Sequence, residues 1–317
     1  MSDVHRVGPR SRRVLPLTLS LLAALLTACG PGVTPSASTD PPGSTPAAPD
    51  LTVPGEAQRA VEALQVEARG NPVIRVTVRR SGATLTYVTD GQAVTLGWTG
   101  DAIAPIQSNV TYVDQQSFNP AAFFLDDLGA LFRQAADVAG SAVAQELQIN
   151  EYNPGRVLMT VTTTPESETV FFSPDGTMIP VLDLATAAGL SPAMADTTAG
   201  ATRVIGLGLD SEGWWADVRV SATQVEHRVR PAKLPAYTVL RNERNTATPF
   251  APGLADPAVI ASLLAEMPQQ LGRPATTITL TMDTRDALGY PVLRFSSGVA
   301  VLAFTPAGTD ITNLVGT

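Results

Sequence analysis

Apolar residues recur every three or four positions in two long stretches of the chain, a spacing that predicts amphipathic helices. The first stretch covers residues 119–139, where Asn119 is suited to cap the helix, Pro120 to its first turn and Gly140 to its exit. Its apolar positions are Phe124, Leu128, Leu131, Ala135 and Val138. We therefore predict one continuous helix over this stretch.

The second stretch opens with Asp256-Pro257 and stops at Gly272. Its apolar positions are Ile260, Leu263, Leu264, Met267 and Leu271. Because Pro268 lacks a backbone N–H, we expect it to end or kink this helix early.

Two further helical segments are predicted ahead of these, from weaker patterns. Residues 56–68 form one of them. The corresponding stretch, residues 183–199, contains Gly189 and Pro192, the two residue types with the lowest helix propensity. We expect the second segment to be broken at these positions.

Short strands are predicted around the helices. The hairpin signal is strongest at Asp90-Gly91, a dipeptide that favours a two-residue turn, between strands at residues 84–89 and 92–98. Other short apolar runs, separated by turn residues, predict strands at residues 147–149, 157–163, 169–172, 223–229, 277–281, 292–295 and 299–304.

The pattern occurs twice, 132 residues apart. Residues 172–179 read FSPDGTMI and residues 304–311 read FTPAGTDI, so five of the eight positions are identical. The shared Pro and Gly are residue types that a tight turn requires. Repetition at a fixed spacing predicts two tandem modules, residues 52–182 and 183–317.

Each module would contain two units, each a helix followed by a meander of three or four strands. Helices would then pack on one face of antiparallel sheets and leave the other face open, which corresponds to the α+β class. In element order and turn position, the modules resemble the PepSY-type and β-lactamase-inhibitor-type modules of secreted bacterial proteins. That resemblance implies a protein that binds or inhibits other proteins.

The first thirty residues have the layout of an export signal. A head with four arginines precedes an apolar run at residues 14–28, which is shorter than the roughly 20 residues of a membrane-spanning helix. The motif Leu-Thr-Ala-Cys at residues 26–29 resembles the bacterial lipobox. The resemblance implies that the signal, residues 1–28, is removed and that Cys29 carries a diacylglycerol and a further acyl chain such as palmitate, which together anchor stably. The Ser-Arg-Arg at residues 11–13 leaves the export route, Sec or twin-arginine, open.

Composition indicates a protein held outside the membrane. Residues 29–51 are rich in Pro, Ser and Thr, which predicts a semi-extended tether. Loss of residues 1–28 removes four arginines and Asp3 from 21 basic and 29 acidic side chains, which leaves 17 and 28 and a net charge of −11. A negative surplus argues against nucleic acid as a partner. We expect a lipid-anchored protein on the extracytoplasmic face of the cell membrane, and the high Ala, Gly, Thr and Pro content favours an actinobacterial source.

Residues suited to catalysis or metal binding are scarce. Cys29 is the only cysteine, and the histidines are His5, which leaves with the signal, and His227, which we expect to be a solvated strand residue. One histidine cannot form a multi-histidine metal site. Asp283, Arg285 and Asp286 read as the solvated end of a hairpin. We therefore predict no catalytic residue, no metal site and no cofactor.

Two aromatic pairs supply the candidate partner-binding residues. Trp214 and Trp215 are consecutive in a predicted strand, so their side chains point to opposite faces. If helices cover one face, one Trp is in the core and the other is outward, and the repeat favours Trp214 as the core member. Phe172 aligns with Phe304 in the core, which leaves Phe171 outward. If the modules instead pack sheet against sheet, both faces would be buried.

Two functions fit these observations. The first is a non-catalytic lipoprotein, anchored through Cys29, that binds a protein or cell-envelope partner. The second is a carrier of a lipid or another apolar ligand. A carrier requires an apolar cavity of several hundred cubic ångströms between sheet and helices, whereas a binder requires a filled core and an exposed aromatic face.

Overall fold

The computed structural model of the chain describes residues 49–315, apart from residues 101, 109, 164–168, 287 and 299. This part of the chain contains the helices α1 (Glu56–Glu67), α2 (Leu128–Ala139), α3 (Ala187–Thr198) and α4 (Pro257–Leu271). Its first seven strands are β1 (Val73–Arg79), β2 (Gly82–Thr89), β3 (Gln92–Trp98), β4 (Ile103–Ile106), β5 (Glu146–Asn153), β6 (Arg156–Thr162) and β7 (Val170–Phe172). The other seven are β8 (Gly206–Leu209), β9 (Trp214–Ser221), β10 (Gln224–Arg230), β11 (Tyr237–Asn242), β12 (Thr279–Asp283), β13 (Val292–Ser296) and β14 (Val301–Phe304).

The strands form two antiparallel sheets of seven strands each. The first sheet has the order β4-β3-β2-β1-β5-β6-β7, and the second has the order β11-β10-β9-β8-β12-β13-β14. In each sheet, a four-strand meander joins a three-strand meander through one central pair, β1–β5 in the first and β8–β12 in the second. The fold is therefore α+β, and the identical strand order agrees with two tandem modules.

Structural details outside the regular strands also repeat between the two halves. Isolated bridges join equivalent pairs, Val73–Phe118 with Val204–Phe250 and Phe172–Met178 with Phe304–Asp310. Phe172 and Phe304 end equivalent strands, and their exposed fractions are only 0% and 4%. The expected equivalence of these two core positions agrees with the structure.

Each half has its own hydrophobic core. In the first half, Leu64 of α1 and Leu131 of α2 belong to the same buried cluster as the strand residue Val76. In the second half, the corresponding cluster contains Leu190 of α3 and Trp214 of β9. All five side chains are fully buried, so each half excludes water from its own centre.

The prediction of a continuous helix over residues 119–139 was wrong. Asn119 and Pro120 begin only a short 3-10 turn, Pro120–Ala122, and Asn119 Oδ1 accepts from the Ala121 N–H at 3.1 Å. A second cap follows, since Asp127 Oδ1 accepts from the Ala130 N–H at 2.7 Å, and α2 begins after it. Phe123, between the caps, has an extended backbone that no helix accommodates.

Proline and glycine interrupt neither helix of the second half. Helix α4 starts after Asp256 as predicted but continues through Pro268 to Leu271. Helix α3 is continuous although it contains Gly189 and Pro192. At Gly189 the absence of a side chain is required by packing, because a Cβ atom there would overlap the carbonyl oxygen of Asp183. Glycine is therefore needed at position 189 because α3 lies against the backbone of Asp183, and it does not break the helix.

Arg230 of β10 lies at the junction of the two halves and is only 1% exposed. Its guanidinium donates to the carbonyl oxygen of Pro180 at 2.7 Å and to that of Leu234. Its Nε also pairs with the carboxylate of Asp196 in α3 at 2.9 Å. A buried arginine with several partners of this kind fixes the local position of the chain around residue 180.

Candidate functional site

The two consecutive tryptophans of β9 lie on opposite faces of the second sheet. Trp214 is 0% exposed and belongs to the core cluster that includes Ala193 of α3. Trp215 is partly exposed and lies opposite Val229 of β10. Trp214 is therefore the core member of the pair, as the repeat favoured, and it cannot contact a partner.

Trp215 rests on a floor made by two glycines of β8. A Cβ atom at Gly206 would lie 3.2 Å from Cζ3 of the indole, and one at Gly208 would overlap the ring. Cross-strand pairing places Gly208 directly opposite Trp215. Because the floor has no side chains, the indole lies close against the backbone of β8.

His227 of β10 packs against the same indole. The two ring centroids are 5.6 Å apart with 36° between the ring planes, and His227 Nδ1 lies 2.6 Å from Asp217 Oδ1. His227 is only 7% exposed, so the prediction of a solvated strand residue was wrong. It lies opposite Asp217 of β9 and against the Trp215 ring, two tertiary contacts that no local sequence signal reveals.

An Asp–His pair is also the orienting half of a catalytic triad, in which the second ring nitrogen accepts a proton from a nucleophile. Among the residues that the structure describes, no hydroxyl is hydrogen-bonded to the other ring nitrogen of His227. The arrangement provides an aromatic surface with a polar edge.

A chain segment bounds this face of the second sheet. Trp215, Asp217 and Arg219 occupy alternate positions of β9 and therefore share one face. The segment that bounds this face contains Ala247, whose carbonyl accepts from Arg219 Nη2 at 2.6 Å. Val239 of β11, paired with His227 and 46% exposed, lies on the same face. We call Trp215, Asp217, His227 and Val239 the Trp215 face.

Phe171 does not point outward to solvent, contrary to the prediction. It is 8% exposed, and its ring packs edge to face on Tyr152 with centroids 5.4 Å apart. The Tyr152 hydroxyl donates to the carbonyl of Pro235 in the other half at 3.0 Å. Burial raises the pKa of Tyr152, and nearby arginines partly offset this. Phe171 is thus covered at a contact between the halves, which removes it as a candidate for partner binding.

Of the predicted solvated hairpin end, Arg285 is exposed over 63% of its side chain, but Asp283 and Asp286 are mostly buried. Arg294 of β13, with 10% of its side chain exposed, pairs with Asp283 at 2.9 Å and also with Asp286. Arg285 forms further hydrogen bonds to the Asp283 carboxylate, one of them 2.9 Å long. Burial alone would raise the pKa of Asp283, but hydrogen bonds from Arg285 and the charge of Arg294 lower it below the ordinary value of 3.8. The cluster is a partly buried ion-pair network that joins β12 to β13.

Asp283→Asn is expected to lower the free energy of unfolding near pH 7 by about 2 kcal/mol, because it removes charge-assisted hydrogen bonds from two arginines. Since the pKa of Asp283 is lower in the folded than in the unfolded chain, its contribution is complete above the ordinary value of 3.8 and is lost as the pH falls below it. Urea unfolding at neutral and at acid pH measures both values. The exposed Asp114→Asn is the control, and an equal loss at both pH values would contradict the assignment.

The predicted lipidation site, Cys29, lies outside the described residues. Within the described part of the chain, no helix has the length and apolar character needed to cross a membrane. The same part contains no group of three or more His, Cys, Asp or Glu side chains that could hold a metal ion.

Sequence reasoning missed the polar half of the Trp215 face and its glycine floor. Two signals could have indicated them: the spacing Trp215-x-Asp217 places both side chains on one face of a strand, and Gly206-x-Gly208 leaves one face of a strand without side chains. Neither signal tells which strands become neighbours. In comparisons with known proteins, the chain matches no family model and no curated protein sequence.

Proposed function

We propose that this chain is a membrane-anchored extracytoplasmic lipoprotein that binds a protein or another cell-envelope partner without catalysing a reaction. The observation that carries the proposal is the Trp215 face. There, a partly exposed indole is held between a glycine floor and the His227 ring. Tryptophans that are rigid before binding lose little entropy and often dominate the energy of an interface.

The proposal requires the helices to pack on one face of each sheet and to leave the other face for contact. Two observations of the second half support the first of these requirements, that a helix packs on the side of Trp214. Trp214 shares its core cluster with residues of α3, and Arg228 Nη1 donates to the carbonyl of Ala199 at the end of α3 at 2.8 Å. Trp214 and Arg228 alternate with Trp215 and His227, so the candidate contact residues belong to the opposite side.

The alternative, a carrier of a lipid or another apolar ligand, receives less support. Such a carrier needs an apolar cavity of several hundred cubic ångströms. The apolar pocket beside Phe171 has a volume of about 210 Å³ and is lined by residues such as Val170 and Met178. A larger cleft, of about 800 Å³, is open to solvent and lined by three arginines. These volumes and linings favour a binder over a carrier.

A photo-reactive residue at Val239 in the full chain is expected to cross-link the partner in intact cells, because Val239 is exposed beside Trp215 on the same face. The further change Trp215→Ala should weaken binding by about 2 kcal/mol, or roughly thirtyfold, and reduce the cross-linked band accordingly.

The same probe at Val66, which is 78% exposed on α1, is the matched control. A band that forms equally from both positions, or one that persists unchanged in the Trp215→Ala variant, would refute the role of this face. Lipid that co-purifies with the chain in a one-to-one molar ratio would favour the carrier.

A further inference from the structure

A cleft of about 800 Å³ opens on the first half of the chain, whereas the Trp215 face belongs to the second half. Its walls are the β1–β2 turn, the first two turns of α2 and the segment that leads into β5. The charged residues that line it are Arg79, Arg80, Arg133 and Glu146. We call this feature the basic cleft.

The three arginines differ in how far they are neutralised. Arg79 pairs with Glu146, whose carboxylate is its neighbour in the cleft. Arg80 Nε lies 3.4 Å from Asp50, and 73% of the Arg80 side chain is exposed. Within the described part of the chain, Arg133 forms no ion pair. Three guanidinium groups therefore line one cleft, two of them paired with a carboxylate and one not paired within the described residues, in a protein with a net charge of −8.

The position of Arg133 is fixed by its helix. Its Nη1 would lie 3.3 Å from a Cβ atom built on Gly129, one helical turn earlier, so the guanidinium lies over this glycine at the wall of the cleft. Gly129 itself cannot carry a side chain without crowding the carbonyl of Thr52 at 2.8 Å. The glycine thus leaves the space beside the guanidinium open, with Asp127 Oδ1 3.4 Å from the same Cβ position.

The internal repeat shows that the fold does not require these arginines. In the second half, the turn equivalent to the β1–β2 turn is the β8–β9 turn, which contains Asp210 and Glu212 and no basic residue. The position equivalent to Arg133 is Ala265 on α4. Two copies of one architecture therefore carry opposite charge at the equivalent turn, and the second half forms the same fold without the arginines.

From this geometry we propose that the basic cleft binds a phosphate group. Guanidinium groups form paired hydrogen bonds with phosphate oxygens, and several of them around one open cleft suit an anion with three or four oxygens. Free phosphate and the headgroup of an anionic phospholipid present the same chemistry. The site is separate from the Trp215 face and does not depend on the function proposed for that face.

The test measures how fast phenylglyoxal modifies individual arginines of the full chain, followed by peptide mass spectrometry. Three conditions are compared: phosphatidylcholine vesicles alone, the same vesicles with inorganic phosphate, and vesicles that also contain phosphatidylglycerol. A bound phosphate should slow modification of Arg80 and Arg133 by about tenfold when it is present at about ten times its Kd. Arg59 and Arg69, which are exposed and paired with glutamates on or beside α1, are the matched controls.

Protection by inorganic phosphate identifies a site for the free anion, and protection only by phosphatidylglycerol identifies the lipid headgroup. In either case, Arg133→Gln should remove most of the protection at Arg80, because the cleft then has one guanidinium group fewer to bind the phosphate. Since residue 133 is exposed, the substitution should leave the fold unchanged. Equal rates in all three conditions, or equal protection at Arg59 and Arg69, would overturn the proposal. The Trp215→Ala variant should show the same protection of Arg80 and Arg133 as the wild type. The result for the basic cleft therefore does not depend on whether the Trp215 face binds a partner.

Discussion

Trp214→Ala should lower the free energy of unfolding by about 3–5 kcal/mol, because it removes a fully buried indole and leaves a cavity between α3 and the second sheet. Trp215→Ala should cost at most about 2 kcal/mol, since that ring is already partly exposed. Chemical denaturation of both variants measures the two free energies under identical conditions. The two neighbours in sequence thus serve as controls for each other.

The comparison also tests the architecture. If both substitutions cost the same large amount, the second sheet must be covered on both sides in solution, and Trp215 could not reach a partner. A small loss for Trp214→Ala would instead mean that its side chain is not a core residue. Either result would contradict the assignment of faces on which the proposed function depends.

Cys29→Ala is expected to move the protein from the membrane fraction to the soluble fraction or to leave an uncut precursor. The reason is that the predicted diacylglycerol is attached to this thiol, and several acyl chains are needed for stable anchoring. Fractionation followed by immunoblotting measures the change, which should be close to complete. Ser38→Ala, in the same predicted tether, is the control and should leave the protein in the membrane fraction.

Mass spectrometry of the amino end provides an independent check on the anchor. The wild-type chain should begin at Cys29 and carry the mass of the acyl groups. An unmodified Cys29 in the mature protein would disprove lipidation even if the variant changed the distribution of the protein.

The parts of the fold that local chemistry determines could be predicted from the sequence. Asp90-Gly91 forms the expected two-residue turn, with φ values of 50° and 71° at its two residues. Asp256 caps α4 and Gly272 ends it in the left-handed conformation. The repeated turn after Phe172 and Phe304 also predicted two modules, and the two sheets have the same strand order. Each of these features depends on a few neighbouring residues and needs no tertiary contact.

Predictions failed where the outcome depended on contacts between distant segments. Gly189 reads as a helix breaker, although its role is to let the backbone approach Asp183. Phe171 was predicted to face outward, but Tyr152 and the other half of the chain cover it. His227 gains its neighbours Asp217 and Trp215 only when β10 pairs with β9. For the candidate site, the sequence could therefore identify Trp215 as an outward residue but not its surroundings.

The hydrogen bonds of Arg230 cross the boundary between the two repeats. The repeat changes over near residue 182, yet one acceptor of the buried Arg230 guanidinium is the carbonyl of Pro180, which precedes that point. A fragment beginning at residue 183 would leave a buried donor without its partner, which is costly. The boundary of the repeat thus differs from the boundary of the contacts on which the second half depends. We expect an excised second half to be more stable when it begins a few residues before 183.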